Sequence, residues 1–207
     1  MTELVRTYIE RNVSGTWSDI SNYVVDDIEY EYLIPANEAD DLLASVGRLN
    51  LVMNNGDGSF SPNSNFRRGT PIRVTTVYDG FSKERFKGTI LDINPDTLEW
   101  GDQFVKVLVV DWMNFAANFP MTVEARLDDK TEDEAIAYLL SRIENQPESV
   151  TYHGSRETFD FVFDTIKKQT KVYSEFNKLA LSEFAPIYVK GGNHLVIESA
   201  DTRHGMR

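Results

Sequence analysis

Alternation of apolar and polar residues at a period of two, broken by glycine-bearing turns, runs through the first half of the chain and restricts it to β structure. From Leu4 to Glu10, Val5, Thr7 and Ile9 fall on one face and Arg6, Tyr8 and Glu10 on the other. Asp27 to Leu33 alternates acids with Ile28, Tyr30 and Tyr32 and stops at Pro35. Arg48 to Asn54 puts Leu49, Leu51 and Met53 on one side, and Ile72–Tyr78 and Phe104–Val110 are rich in β-branched residues. Turn signals separate these runs: Asn12-Val13-Ser14-Gly15, Asn54-Asn55-Gly56-Asp57-Gly58, Asp79-Gly80, Asn94-Pro95-Asp96 and Trp100-Gly101-Asp102. Short strands at this spacing predict a β-barrel or sandwich.

The pattern changes after Trp112. Thr131 with Glu134 three residues on is a capping box, and Ile136, Leu139, Leu140 and Ile143 follow at helical spacing up to Pro147. A second helix is expected from about Thr170 to Phe184, with Tyr173, Phe176, Ala180 and Phe184 on its apolar face. Ile187–Val189, the turn Gly191-Gly192-Asn193 and Leu195–Ile197 read as a β-hairpin. The fold class expected is therefore mainly β with an α+β second part. A β-barrel domain over 1–118 is followed by a smaller domain of two helices and a hairpin over 119–207.

Composition narrows the function classes. Hydrophobic residues make up 41% of the 207 and charged residues 26%, enough apolar side chain for a core to form. The absence of cysteine excludes disulfides and thiolate metal sites. No apolar run reaches the roughly 20 residues of a membrane span. Met1-Thr2-Glu3-Leu4-Val5-Arg6 lacks a basic stretch leading into an apolar one, so no secretory leader is expected. The net charge of −12 argues against a dedicated nucleic-acid binder, whose affinity comes from Lys and Arg neutralising phosphates.

Residues able to carry chemistry are scattered. His153, His194 and His204 lack the i, i+4 partners of a helical metal site. The oxygen-rich run Asn54–Ser59 lacks the distal Glu of a calcium loop and reads as a turn. Asp26, Asp27, Glu29, Glu31, Glu99, Asp102 and Asp111 could supply a carboxylate pair for glycoside hydrolysis, but alternation with Ile28 and Tyr30 is how the solvent face of a strand looks. No nucleophile elbow or phosphate-binding glycine loop occurs. Neither a catalytic residue, nor a metal ligand, nor a cofactor is expected, and the chain is not read as an enzyme.

One extended pattern stands above these. It runs from Gly15-Thr16-Trp17-Ser18-Asp19-Ile20 through Asn55-Gly56-Asp57-Gly58-Ser59-Phe60-Ser61-Pro62 and Gly69-Thr70-Pro71-Ile72-Arg73-Val74 to Phe86-Lys87-Gly88-Thr89-Ile90 and Val109-Val110-Asp111. Leu179-Ala180-Leu181-Ser182-Glu183 then leads into the hairpin. Together these segments resemble the N-terminal barrel and following region of phage minor tail and tail-hub proteins. The residues carrying the resemblance are Gly15, Trp17, Asp19, Phe60, Pro62, Gly69, Phe86, Gly88, Asp111 and Glu183, all in structural roles. Phe86 and Ile90 share parity and are expected inside, and Phe60 is expected to fold back as an anchor.

The resemblance implies a virion structural protein at the tail tip, a homotrimeric baseplate-hub ring joining the tail tube to distal tail, spike or fibre proteins. Its lumen would pass DNA during ejection without specific binding, and an acidic wall would repel phosphate. Proteins of this family are generally longer, so the second region is expected to be abbreviated or continued beyond Arg207. An alternative is a carbohydrate- or host-receptor-binding tail module, for which Trp17, Trp100 and Tyr78 would have to cluster in the open. A glycan-degrading tail hydrolase would instead need two facing acids.

Overall fold

The computed structural model describes residues 5–32, 42–60, 66–97, 103–121, 126–154, 158–163 and 170–198. They fall into two compact units. The first comprises Met1–Glu31, Gly47–Asp111 and Lys190–Asn193, and the second Tyr32–Val46, Trp112–Val189 and His194–Arg207.

The first unit is built on β1 (Arg6–Val13), β2 (Thr16–Asp19), β3 (Glu29–Glu31), β4 (Arg48–Asn54), β5 (Pro71–Tyr78), β6 (Phe81–Thr97) and β7 (Gln103–Val110). They form one seven-stranded sheet in the order β2-β1-β5-β6-β7-β4-β3. The mainly β reading holds, but the sheet is open among the described residues: β2 and β3 are its two ends and do not pair. A three-residue β3 and a four-residue β2 offer too few ladder bonds to close it. Alternation places the core as expected. Leu49, Leu51 and Met53 of β4 lie opposite Val109, Val107 and Val105 of β7, all buried. Ile9, Val74 and Phe86 continue the same buried layer across β1, β5 and β6, with Ile90 alongside.

Two hairpins use paired left-handed residues. Ser14 and Gly15 have φ of 52° and 88°, Asp79 and Gly80 φ of 46° and 78°. Positive φ at both central positions marks a type I′ turn, whose twist matches that of the flanking strands. By contrast, Asn94-Pro95-Asp96 is not a turn. These residues belong to β6 and lie opposite Lys106, Val105 and Phe104 of β7. Among the described residues no strand pairs with β6 on its β5 side beyond Ile90, and a stretch of strand with one open side is where a sheet accepts proline. Asp27–Leu33 shortens to β3, and the turn Trp100-Gly101-Asp102 lies outside the described residues.

The second unit packs α1 (Trp112–Asn118), α2 (Glu132–Ser141) and α3 (Val172–Glu183) with three small sets of strands. β8 (Leu127–Thr131) pairs with β10 (Thr158–Val162); β9 (Ser149–Tyr152), β11 (Ile187–Lys190) and β12 (His194–Ile197) form a sheet in the order β11-β12-β9. The parallel β9–β12 pairing joins segments remote in sequence. Leu42–Ala44 runs beside β11, where the Ile187 N–H donates to the Leu42 carbonyl at 2.9 Å. Thr131 caps α2 as the sequence predicts: its Oγ1 accepts from the Glu134 N–H, and the Glu134 carboxylate accepts from the Thr131 N–H.

Two expectations shift here. Residues 112–118, where the sequence suggested no helix, form α1, whose Trp112, Met113 and Ala116 are buried in a core with Ile136, Leu139 and Phe176. Phe184 is not on the buried stripe of α3, which is Val172, Glu175, Phe176, Leu179 and Ala180. It takes the left-handed cap position at φ 53° and is 64% exposed, since the helix ends one residue earlier.

Gly88 marks the tightest point of the sheet. A Cβ built there would lie 2.2 Å from the Val110 carbonyl oxygen and 3.0 Å from the Phe86 ring. Gly88→Ala is therefore expected to force the β6–β7 pair apart and destabilise the fold by about 1–3 kcal/mol. Urea denaturation should show the midpoint falling with the slope unchanged; an unshifted midpoint would contradict the close approach.

Candidate interaction surface

The family-motif residues of the first unit divide between its core and one face of the sheet. Phe60 is buried edge-on between Tyr23 (4.9 Å) and Phe66 (4.7 Å), with its N–H donating to Asn55 Oδ1 at 2.8 Å. Phe86 is fully buried beside Gly88, and buried Asp111 follows β7 with its N–H donating to the Gly47 carbonyl. Gly69 takes φ 83° in the turn that leads into β5, and its N–H donates to the Ile90 carbonyl. Gly15 closes the β1–β2 hairpin, accepted by Asn12 Oδ1 at 2.8 Å. Asp19 accepts from both the N–H and the hydroxyl of Ser21, whose oxygen in turn takes the Ile9 N–H. Pro62 lies outside the described residues. Glu183, the last residue of α3, belongs to the second unit.

Trp17 belongs to a polar cluster spread over four neighbouring strands. The Arg73 guanidinium lies over its ring, 4.4 Å from the centroid, and the Lys87 ammonium 5.5 Å away. Arg73 also donates to both carboxylate oxygens of Glu10, at 2.7 and 3.0 Å, and lies 3.7 Å from Glu84. The register explains the cluster, since Glu10 faces Arg73 and Arg73 faces Lys87 across the ladder. Bidentate pairing and ring stacking both favour arginine over lysine here. Sequence reasoning singled out Trp17 but missed the cluster, because only the strand order β2-β1-β5-β6 assembles it.

The suspected chemical groups behave as structural ones. In Asn54–Ser59, the side-chain oxygens of Asn54 and Asp57 accept from the N–H groups of Gly56 and Ser59, which makes the run a turn. The Ser59 N–H and hydroxyl hold the Asp57 carboxyl below the usual carboxylate range. His153 is exposed, and His204 lies outside the described residues, as do Trp100, Glu99 and Asp102. His194 meets the hydroxyl of Ser149 through Nδ1 and that of Thr151 through Nε2, the latter at 2.9 Å. A catalytic serine–histidine pair needs a carboxylate on the second ring nitrogen; here a threonine hydroxyl stands there. Among the described residues no cluster of three metal-ligating side chains occurs.

Three exposed apolar side chains meet at one end of the sheet. Tyr78 and Phe81 flank the Asp79-Gly80 turn, 46% and 78% exposed, and exposed Val5 precedes the Arg6–Val77 pair at the same end. Such side chains in contiguous strands make a surface suited to contact with protein.

One buried group departs from this structural role. Glu132, the first residue of α2, is 2% exposed, and its Oε1 has no hydrogen-bond partner. Burial, with Glu183 and Asp133 nearby, raises its carboxyl from 4.5 to about 8. A raised value in the folded state means that the stability contributed by the protonated acid is complete below about pH 4.5 and lost as the pH rises through about 8. Glu132→Gln should therefore leave stability nearly unchanged at pH 5 and raise it by about 1–3 kcal/mol above pH 8. Thermal melts of both proteins across that range test this; parallel pH profiles would refute it.

No protein-family model matches the chain, and no curated protein matches it. Solved structures do. A tail protein from Neisseria meningitidis MC58 superposes with a TM-score of 0.61 at 14% identity, over 92% of this chain and 50% of that one. The 43 kDa tail protein of prophage MuSo2 from Shewanella oneidensis gives 0.62 at 12% identity, over 93% and 54%. The E. coli c3393 protein, described as a type VI secretion system component similar in structure to the T4 tail proteins gp27 and gp5, gives 0.50 at 12% identity, over 96% and 46%. The chain spans about half the length of these proteins. At such low identity the likeness establishes fold, and the fold is that of phage tail proteins and a related secretion-system component.

Proposed function

We propose that this chain is a structural component of a phage-type tail, acting through protein interfaces rather than through catalysis. The observation that carries the reading is the match of more than nine-tenths of the chain to two phage tail proteins, across both of its compact units. The polar groups fit it. Trp17 is covered by Arg73, His194 is held between two hydroxyls, and Asp57 is spent on its own turn.

Within the tail, we propose a hub at the tip: a homotrimeric ring that joins the tail tube to distal tail, spike or fibre proteins. The similarity to a protein itself likened to gp27 and gp5 supports this placement. Rings close only when each subunit repeats the same contact, and each contact needs upwards of about 1,000 Å². The bare side chains of Tyr78 and Phe81 and the unpaired edges at β2 and β3 are the available material in the first unit. A carbohydrate-binding reading is less well supported, because a stacking platform needs the Trp17 face that the Arg73 guanidinium occupies.

Light scattering coupled to size exclusion tests the ring: three chain masses are expected, and a monomer at every concentration would overturn it. The proposed DNA passage rests on the net charge of −12. Duplex DNA should migrate unretarded with the protein at low salt, where phosphate binding is strongest. A salt-sensitive mobility shift would remove the acidic-wall idea while leaving the ring untouched.

A further inference from the structure

The first unit carries a cleft of about 300 Å³ walled by Asn12, Val13 and Ser14 on one side and Arg67 to Pro71 on the other. Both walls are held by hydrogen bonds. The Ser14-Gly15 turn is a type I′ hairpin, pinned by Asn12 Oδ1 on the Gly15 N–H. In the opposite wall the Thr70 N–H donates to the Arg67 carbonyl and the Arg67 N–H to Thr70 Oγ1. That turn is tied to β6 twice more, by the Gly69 N–H on the Ile90 carbonyl and the Ile90 N–H on the Thr70 carbonyl. Groups on such walls are already ordered before any ligand arrives, so binding costs little conformational entropy.

The polar groups left over at this cleft are donors. Asn12 has its carbonyl oxygen engaged by Gly15, which leaves the amide NH₂. The Arg67 guanidinium is exposed on the wall and has no counter-charge among the described residues. Arg68 is already paired, with the Asp92 carboxylate, which that contact and the Asn94 amide hold below the usual carboxylate range. In a chain with 33 acidic and 21 basic residues, a cleft whose Arg67 has no counter-charge among the described residues, with an amide NH₂ opposite, departs from the overall charge balance.

We propose that this cleft is a binding site for an oxyanion, a carboxylate or a phosphate group, held by Arg67 and the Asn12 amide. Planar guanidinium and amide donors match the paired oxygens of such groups. The inference is independent of the tail reading, since it rests only on the donors left over at one end of a sheet.

The test is a titration of the ¹⁵N-labelled protein with sodium phosphate and, separately, with sodium succinate, each against sodium chloride at matched ionic strength. The Gly15 and Gly69 amides, one on each wall, are the reporters. Saturable shifts at these two with either oxyanion, absent with chloride, are expected. Binding of succinate without phosphate would assign the site to an acidic side chain of a protein, and binding of phosphate alone to a phosphate ligand. Arg67→Gln and Asn12→Ala should each weaken binding about 10-fold, the loss for one charge-assisted hydrogen bond. Their backbone spectra away from the cleft verify folding. Non-saturating shifts that merely follow ionic strength, or an unchanged affinity in Arg67→Gln, would overturn the proposal.

Discussion

The sheet of the first unit depends on one close approach. Gly88 lets the backbone of β6 lie against the Val110 carbonyl, with less space than any side chain would leave. From that point β6 carries two neighbours: β5 on one side up to Thr89, and β7 on the other from Thr89 onward. One seventeen-residue strand therefore ties the β2-β1-β5 group to the β7-β4-β3 group. Two register shifts, after Val74 in the β5 pairing and after Ile90 in the β7 pairing, bend it and increase its twist. The second shift leaves Leu91 as the extra residue, turned outward and 42% exposed, while Phe86 and Ile90 stay buried.

With the sheet so arranged, its two faces do different work. One is the dry layer of Ile9, Val74, Phe86, Val107 and Leu51, each residue of which contributes roughly 1.5–3 kcal/mol by leaving water. The other carries the Glu10–Arg73–Trp17–Lys87 cluster, where Arg73 pairs with Glu10 and both cations lie over the Trp17 ring. The donors without partners lie elsewhere, at the end of the sheet between two turns. What the first unit presents at its ends is surface: aromatic side chains at one turn, guanidinium and amide donors between two others.

The second unit follows different physics. Its core gathers Trp112, Met113, Ile136, Leu139, Phe176, Leu179, Ile187 and Leu195 from three helices and the small β11-β12-β9 sheet. Trp112 anchors the arrangement through its indole N–H on the Asn145 carbonyl at 2.8 Å and its ring 6.3 Å from that of Phe176. Among the described residues Glu132 Oε1 is a buried carboxyl oxygen with no hydrogen-bond partner, and Glu175, equally buried, shows the usual remedy: Lys178 one turn on, at 2.8 Å.

What the sequence alone determined is what neighbouring residues decide between themselves. The alternation of β4 and β7, the Asp79-Gly80 hairpin, the Thr131–Glu134 capping box and the stop of α3 before Pro186 are all set within a few residues by side-chain parity, left-handed φ and backbone donors. The order of motifs from Gly15 to Asp111 was legible for the same reason, as a series of local solutions. Tertiary structure alone decided the rest, because those choices turn on which distant segment supplies a partner. It kept Pro95 in a strand by leaving one side of β6 unpaired, paired β9 in parallel with β12, and brought Leu42–Ala44 to β11. It likewise buried Glu132 although it sits among acids that look solvent-facing, and assembled the Trp17 cluster and the arginine-lined cleft from strands and turns that no local pattern connects.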